Sequence, residues 1–320
     1  MSVILNQNEF VANIVNLLVK TKVNKTTNGK RINELIDSSL VDAVKAGDSY
    51  ALRTIDTLDV KTYSDTSSIL SVEKPVVDEQ ILSTTDKKYI QLTLNRYIMQ
   101  GAFADEYSLS ECLAEMETML EKTKAIYMYK KIVKAYQDWV PTQATQTITI
   151  DLVDTSTLTG VQKIEQEKDN ALTIYKALKK VAINIQAPSR KYNDIEFEEM
   201  YNADELIFVE NSKFESIVNT YAIASLLHSE KLDNIQLYKK SIIIPDEQFT
   251  DDYTKGLVIG WLVSEYKYQI APRIEVATAF EDASTLNLNE FLHFWLISGM
   301  ANGLAGVKLV ANFVAPAQAE

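Results

Sequence analysis

One stretch limits what this chain can fold into. Residues 108–139, SLSECLAEMETMLEKTKAIYMYKKIVKAYQDW, carry apolar side chains at three- and four-residue spacing for eight or nine turns. Leu109, Leu113, Met116, Leu120, Thr123, Tyr127, Lys130, Val133 and Tyr136 define the stripe, and Cys112, Met119, Ile126 and Ile132 widen it. Ser108 followed by Glu111 reads as a capping box at the start. Pro141 stops the run. At 1.5 Å per residue such a helix spans about 45–50 Å, longer than a small domain is wide. The chain therefore needs a second body, or a neighbour, along part of that length.

A ribbon precedes the helix. In 88–99 the residues Ile90, Leu92, Leu94 and Ile98 alternate with Tyr89, Gln91, Thr93, Asn95 and Tyr97, which gives one aliphatic face and one polar or aromatic face. Residues 76–83 are the expected hairpin partner, with 84–87 (TTDK) as the turn, although no Gly supports it. Residues 51–75 are rich in Thr, Ser and Asp and read as a solvated extension of the same loop. Ahead of them, residues 1–50 read as two short helices joined by the basic linker KTKVNKTTNGKR.

Beyond the long helix, strands and helices interleave. Strands are expected at 146–153, 205–210, 241–245, 274–279 and 304–314, and a helix at 161–181. Phe214 opens a helical run to His228, with Asn211 or Ser212 as its cap. The segment 257–266 is strongly apolar, and 289–300 (NEFLHFWLISGM) reads as an apolar helix or turn region. The pattern is not a regular βαβ repeat, so the fold class is α+β.

Composition narrows the function. The net charge of −12 argues against bulk affinity for nucleic acid, which needs clustered Lys and Arg. It does not prevent the protein from enclosing nucleic acid. The single cysteine, Cys112, excludes an intrachain disulfide and sits on the apolar stripe, where a buried thiol is structural. No uncharged run approaches a membrane span, and no signal peptide opens the sequence. Asn24-Lys25-Thr26 matches a glycosylation acceptor that a cytosolic chain leaves unused.

The usual catalytic patterns fail. The two histidines, His228 and His293, lack metal-ligand spacing. Gly303-Leu304-Ala305-Gly306-Val307-Lys308 has the wrong spacing for a phosphate loop, and Leu309 stands where Ser or Thr would bind magnesium. Small residues there instead let a strand pass close to other backbone. Asp246, Glu247, Asp251 and Asp252 lack the calcium-loop pattern. The sequence nominates no catalytic, cofactor-binding or metal residues, and the expectation is a protein that is not an enzyme.

The order of parts resembles another class of protein. The stretch DEQILSTTDKKYIQLTLNRYIMQGAFADEYSLSECL, with NADELIFVENSKF at 202–214 and FLHFW at 291–295, is similar to the major capsid proteins of short-tailed phages, which have the Hong Kong 97-type fold. The resemblance implies an N-terminal arm (1–50), an extended β loop (51–100) and a peripheral domain (101–185) with a spine helix at about 108–139. An axial domain (186–270) and a return to the peripheral domain (271–320) complete it. It implies hexamers and pentamers in an icosahedral shell around double-stranded DNA, with scaffolding and portal proteins as partners. It implies a place in the virion, assembly in the host cytoplasm and no membrane. Two other readings stay open: an encapsulin-like nanocompartment shell, and an unrelated cytosolic α+β enzyme.

Overall fold

The structure is a computed structural model. It describes residues 30–45, 48–62, 74–83, 85–95, 106–218, 237–249, 257–282, 284–285 and 287–315, with backbone alone at 30–31, 85, 94–95 and 106–117. Two compact units divide the chain. The first takes the described residues within 1–50, 82–132 and 269–299, and the second those within 51–81, 133–268 and 300–320.

The second unit is built on a five-stranded mixed sheet. Its strands are β4 (Thr147–Val153), β5 (Leu206–Asn211), β6 (Lys240–Ile244), β7 (Val258–Ser264) and β10 (Gly306–Val314), in the order β4-β10-β7-β5-β6. β10 runs parallel to β4 and antiparallel to β7, and β5 runs antiparallel to β7 and parallel to β6. β5 and β7 are buried at every position, as continuous apolar runs in central strands require. Helix α3 (Gly160–Gln186) lays Ile174, Leu178, Val181 and Ile185 into a core with Leu152, Leu206, Phe208, Leu262 and Leu309. Successive side chains of a strand point to opposite faces, so Trp261 lies on the face opposite Leu262. There it meets Tyr136 at 5.7 Å and Phe249 at 5.8 Å between ring centroids.

The first unit holds a three-stranded sheet, in the order β3-β9-β8. Its strands are β3 (Thr85–Asn95), β8 (Tyr268–Asp282) and β9 (Asn287–Met300). β3 and β9 pair antiparallel from Thr85↔Ile297 to Asn95↔Asn287. The long helix α2 (Glu106–Asp138) packs on one face within this unit. Tyr127 meets Phe294 edge-on at 5.6 Å, and the Lys131 ammonium donates to Asp86 at 2.8 Å. The Tyr127 hydroxyl donates to the same carboxylate. Helix α1 (Lys30–Asp37) ends where the Ser38 and Ser39 hydroxyls donate back to the Leu35 carbonyl. The chain then bridges to Ile270 of β8 through Leu40.

Several expectations need correction. The hairpin of 76–83 with 88–99 does not form: β2 (Val77–Leu82) pairs with β1 (Tyr50–Ile55), and β3 pairs with β9. The turn has no Gly to take a left-handed position, and the long register with β9 leaves Ile90 and Leu92 of β3 half-buried instead. Residues 289–300 are strand β9. Glu290, Leu292, Phe294 and Leu296 are buried in alternation, a period of two hidden by apolar residues on both faces. β8 begins at Tyr268, so Pro272 lies inside the strand, where its carbonyl accepts from Val44.

The helices also differ in detail. α2 starts at Glu106, which puts Ser108 inside the first turn and not at the cap. On its described side chains Leu120, Met128, Ile132, Val133 and Tyr136 are buried, whereas Met119, Thr123 and Lys130 are exposed. α3 runs on to Gln186, and Ile164 near its start is exposed. Asn211 does cap a helix: its side-chain oxygen accepts from Lys213 N at the start of α4 (Ser212–Ile217). The run to His228 continues outside the described residues, as do the first expected helix of the arm and Asn24-Lys25-Thr26.

Candidate assembly surfaces

Of the residues weighed for chemistry, His293, Gly306 and Asp246 make contacts within the fold. His293 lies on β9, with Nε2 3.1 Å from the Thr278 hydroxyl and its ring beside Tyr89 and Phe291. Gly306 opens β10, and a Cβ there would stand 2.7 Å from the Trp139 ring. That is the close passage its small size suggests, although the neighbour is a side chain. Asp246 accepts from the Asn211 amide at 2.6 Å. Residues 251–252, His228 and the Cys112 side chain lie outside what is described. Among the described residues, no three of His, Cys, Asp and Glu group to hold a metal, and no helix is long and apolar enough to cross a membrane.

The buried charges are also structural. Lys267 is 0% exposed and donates to Asp194 at 2.8 Å, to Ala301 O at 2.9 Å and to Leu304 O at 2.7 Å. Burial lowers its pKa, and Asp194 opposes the shift. Burial pushes the Glu210 carboxyl up to about 7 despite a hydrogen bond from Ser241. Burial alone raises Glu290 to about 7, and both its oxygens lack a hydrogen-bond partner.

The ribbon β1–β2 has two unlike faces. Alternation turns Thr54 and Gln80 inward, while Ile55, Val77 and Ile81 face solvent, each at least half exposed. The same face carries the Arg53–Glu79 ion pair at 3.2 Å, and Leu58, Val76 and the fully exposed Val60 lie beyond the strand ends. Uncovered aliphatic side chains on and beside a two-stranded ribbon are ones that water disfavours and that a partner can cover.

The inner face is pinned to its own unit. The Asp56 carboxylate accepts from Arg190 Nη1 at 2.7 Å, Glu198 N at 3.0 Å and Thr57 N at 2.9 Å. These bonds hold its pKa below the usual carboxylate value. Gln80 donates to Met300 O at 2.7 Å and accepts from Asn302 N at 2.9 Å. Sequence reading missed these residues, because all their partners except Thr57 lie 134 to 222 positions away.

A second uncovered surface lies on the β3-β9-β8 sheet. Tyr89 and Phe280 are more than 60% exposed, and Tyr89 packs on Phe291 and His293 at 5.9 Å. Exposed apolar side chains of this kind are candidates for contact with another chain.

Solved structures share the fold. The chain matches one in the structure of the head fiber and inner core protein of native bacteriophage P68 with a TM-score of 0.61 at 11% identity, over 91% of this chain and 88% of that one. It matches the capsid structure of Staphylococcus phage Andhra with a TM-score of 0.60 at 11% identity, over 91% and 88%. The capsid of Cyanophage P-SCSP1u matches with a TM-score of 0.58 at 11% identity, over 92% of both chains. No curated protein sequence matches. The Phi29-like phage major capsid protein family matches residues 3–302, and the chain belongs to it. It is a structural protein of the phage capsid shell, and the α+β architecture is the fold shared with those capsids.

Proposed function

We propose that the chain is the self-assembling subunit of an icosahedral shell, grouped as hexamers and pentamers, that encloses double-stranded DNA of a tailed phage. The single observation that carries this reading is the ribbon, anchored along its inner face and exposed along its outer one. A ribbon of this kind is stable only when covered, and in a homo-oligomer the cover is another copy. In this reading residues 1–50 form an arm along neighbours and 51–100 an extended loop over the adjacent subunit. Residues 101–185, with the α2 spine, and 271–320 form the peripheral domain, and 186–270 the axial domain.

The net charge of −12 suits a container whose DNA slides in without sticking. Scaffolding and portal proteins complete the assembly in the host cytoplasm. Deletion of residues 56–74 tests the reading. The shortened protein should stay folded and soluble but sediment as small species, where the full chain sediments as particles. Particles from the deleted chain at the yield of the full one would show that the loop is dispensable.

A further inference from the structure

We propose that the open edge of β4 is the site of a two-fold contact between two copies of this chain, in which the β4 strands pair antiparallel about Thr149. The inference goes beyond the capsid reading, because the contact uses the sheet of the second unit and not the ribbon, and a dimer in solution is enough to show it.

β4 ends the sheet order and pairs on one side alone, with β10. Successive residues of a strand turn their backbone groups to opposite sides. Asp154 N donates to Val314 O, on the β10 side. Val153 turns the other way. Its N–H donates to Asn170 Oδ1 at 3.0 Å, and its carbonyl accepts from Asn170 Nδ2 at 2.8 Å. Thr147, Thr149 and Asp151 share that outward side, and all three are exposed. The Thr147 N–H is taken by Ala144 O. Among the described residues, nothing bonds to the Thr147 carbonyl or to the backbone groups of Thr149 and Asp151.

Edge strands are normally blunted by charges, proline or a bulge. β4, TITIDLV, has no proline and one charge. That charge is turned aside, since the Asp151 carboxylate accepts from the Asn312 amide at 2.7 Å. The Asn170 side chain does what a neighbouring strand would do at Val153, and so closes that end of the edge.

The window left open is symmetric about Thr149, which offers one donor and one acceptor. Two residues before it, Thr147 offers an acceptor; two residues after it, Asp151 offers a donor. Antiparallel self-pairing requires that order. Thr149 exchanges two bonds with Thr149 of the other copy, and each Asp151 N–H meets the other copy's Thr147 carbonyl. Only threonine then faces itself, which is a favourable pair, and the two Asp151 carboxylates stay apart. On the core side Ile148, half-buried at the edge, meets Ile150 of the other copy. One patch serving both subunits is the commonest way to close an oligomer, and strand addition at an open edge is a recurrent mode of recognition.

The test follows the unassembled full chain by sedimentation, with Thr149→Lys and Thr149→Glu taken separately and mixed. The unaltered protein should be dimeric when concentrated and monomeric on dilution. The Thr149 and Asp151 amides, open in the monomer, should exchange at least about tenfold more slowly in the dimer. Each charged variant sets like charges directly opposite and should weaken the dimer at least about tenfold. Melting of the monomer should move by no more than about 2 °C, because the side chain is exposed. An equal mixture of the two variants should dimerise to within about threefold of the unaltered affinity, because lysine then faces glutamate. Protein that stays monomeric at every concentration would overturn the proposal, as would a dimer whose two amides exchange as fast as in the monomer. A dimer insensitive to both charges, or one that the mixture does not restore, would show that residue 149 does not face itself and would overturn it too. Dimers of this kind from a protein that never forms shells would contradict the capsid reading and uphold this contact.

Discussion

The Lys267 ammonium, fully buried, donates to the Asp194 carboxylate at 2.8 Å and to two backbone carbonyls beside it. Trp139 covers it, with the ring centroid 5.2 Å from Nζ. One cation thereby ties together the end of α2, the 190s loop and the turn before β10, all within the second unit. Removing one partner of a buried pair leaves the other charge without compensation. Lys267→Ala should therefore destabilise the protein by about 3–5 kcal/mol in denaturant unfolding. A change under about 1 kcal/mol would mean that water reaches Asp194 readily.

Gly260 lies in β7 beside β5, where a Cβ would stand 2.6 Å from Val209 O and 2.9 Å from the Phe208 ring. The carbonyl belongs to a paired strand and cannot swing aside. Gly260→Ala should cost about 1–3 kcal/mol by overpacking, seen as a lowered melting temperature. An unchanged melt would show that the central strands can separate at no cost.

Glu290 and Glu210 predict an unusual pH dependence. Burial raises both folded pKa values to about 7, above the ordinary value of 4.5. The folded state therefore holds more protons than the unfolded state between about pH 4.5 and 7, and stability falls as pH rises through that window. The lowered carboxylates Asp56, Asp86, Asp154 and Asp282 act the other way, but only below their ordinary value of 3.8. Melting temperature should thus rise on acidification from pH 7.5 to 5. Glu290→Met should flatten part of that slope and add about 1–3 kcal/mol at pH 8, by removing a buried carboxyl without a hydrogen-bond partner. A melting temperature that falls over the same range would contradict the assignment.

Legibility of the fold followed how local each signal was. The long helix, the buried runs of β5 and β7 and the Asn211 cap were readable because each is written in consecutive residues. The pairing of β3 was not, because its partner lies some two hundred residues downstream and a nearer strand offered itself. β9 was misread because Phe291 and Trp295 put apolar bulk on its second face and masked the alternation. The anchors on the inner face of the ribbon were invisible for a related reason. Asp56, Gln80 and Arg190 are unremarkable polar residues until the fold brings them to Glu198, Met300 and Asn302. Only the long-range order of parts hinted at a shell, and that hint came from likeness to a family.

The outer face of the ribbon should matter for assembly alone. Val60→Asp and Ile55→Asp place charge on side chains that are 100% and 61% exposed. Unfolding of the unassembled protein should change by less than about 0.5 kcal/mol, as for most surface substitutions. Particle yield in light scattering should drop by at least about tenfold if each charge is buried at a contact. Normal yields from both variants would mean that the apolar row is not an interface.

The most direct measurement is a three-dimensional reconstruction of the purified, assembled protein by electron cryomicroscopy. The account predicts closed shells of hexamers and pentamers, with Ile55, Val60 and Val77 of each ribbon covered by a neighbouring copy. Small soluble species under every assembly condition, or shells in which that row stays bare to solvent, would contradict it.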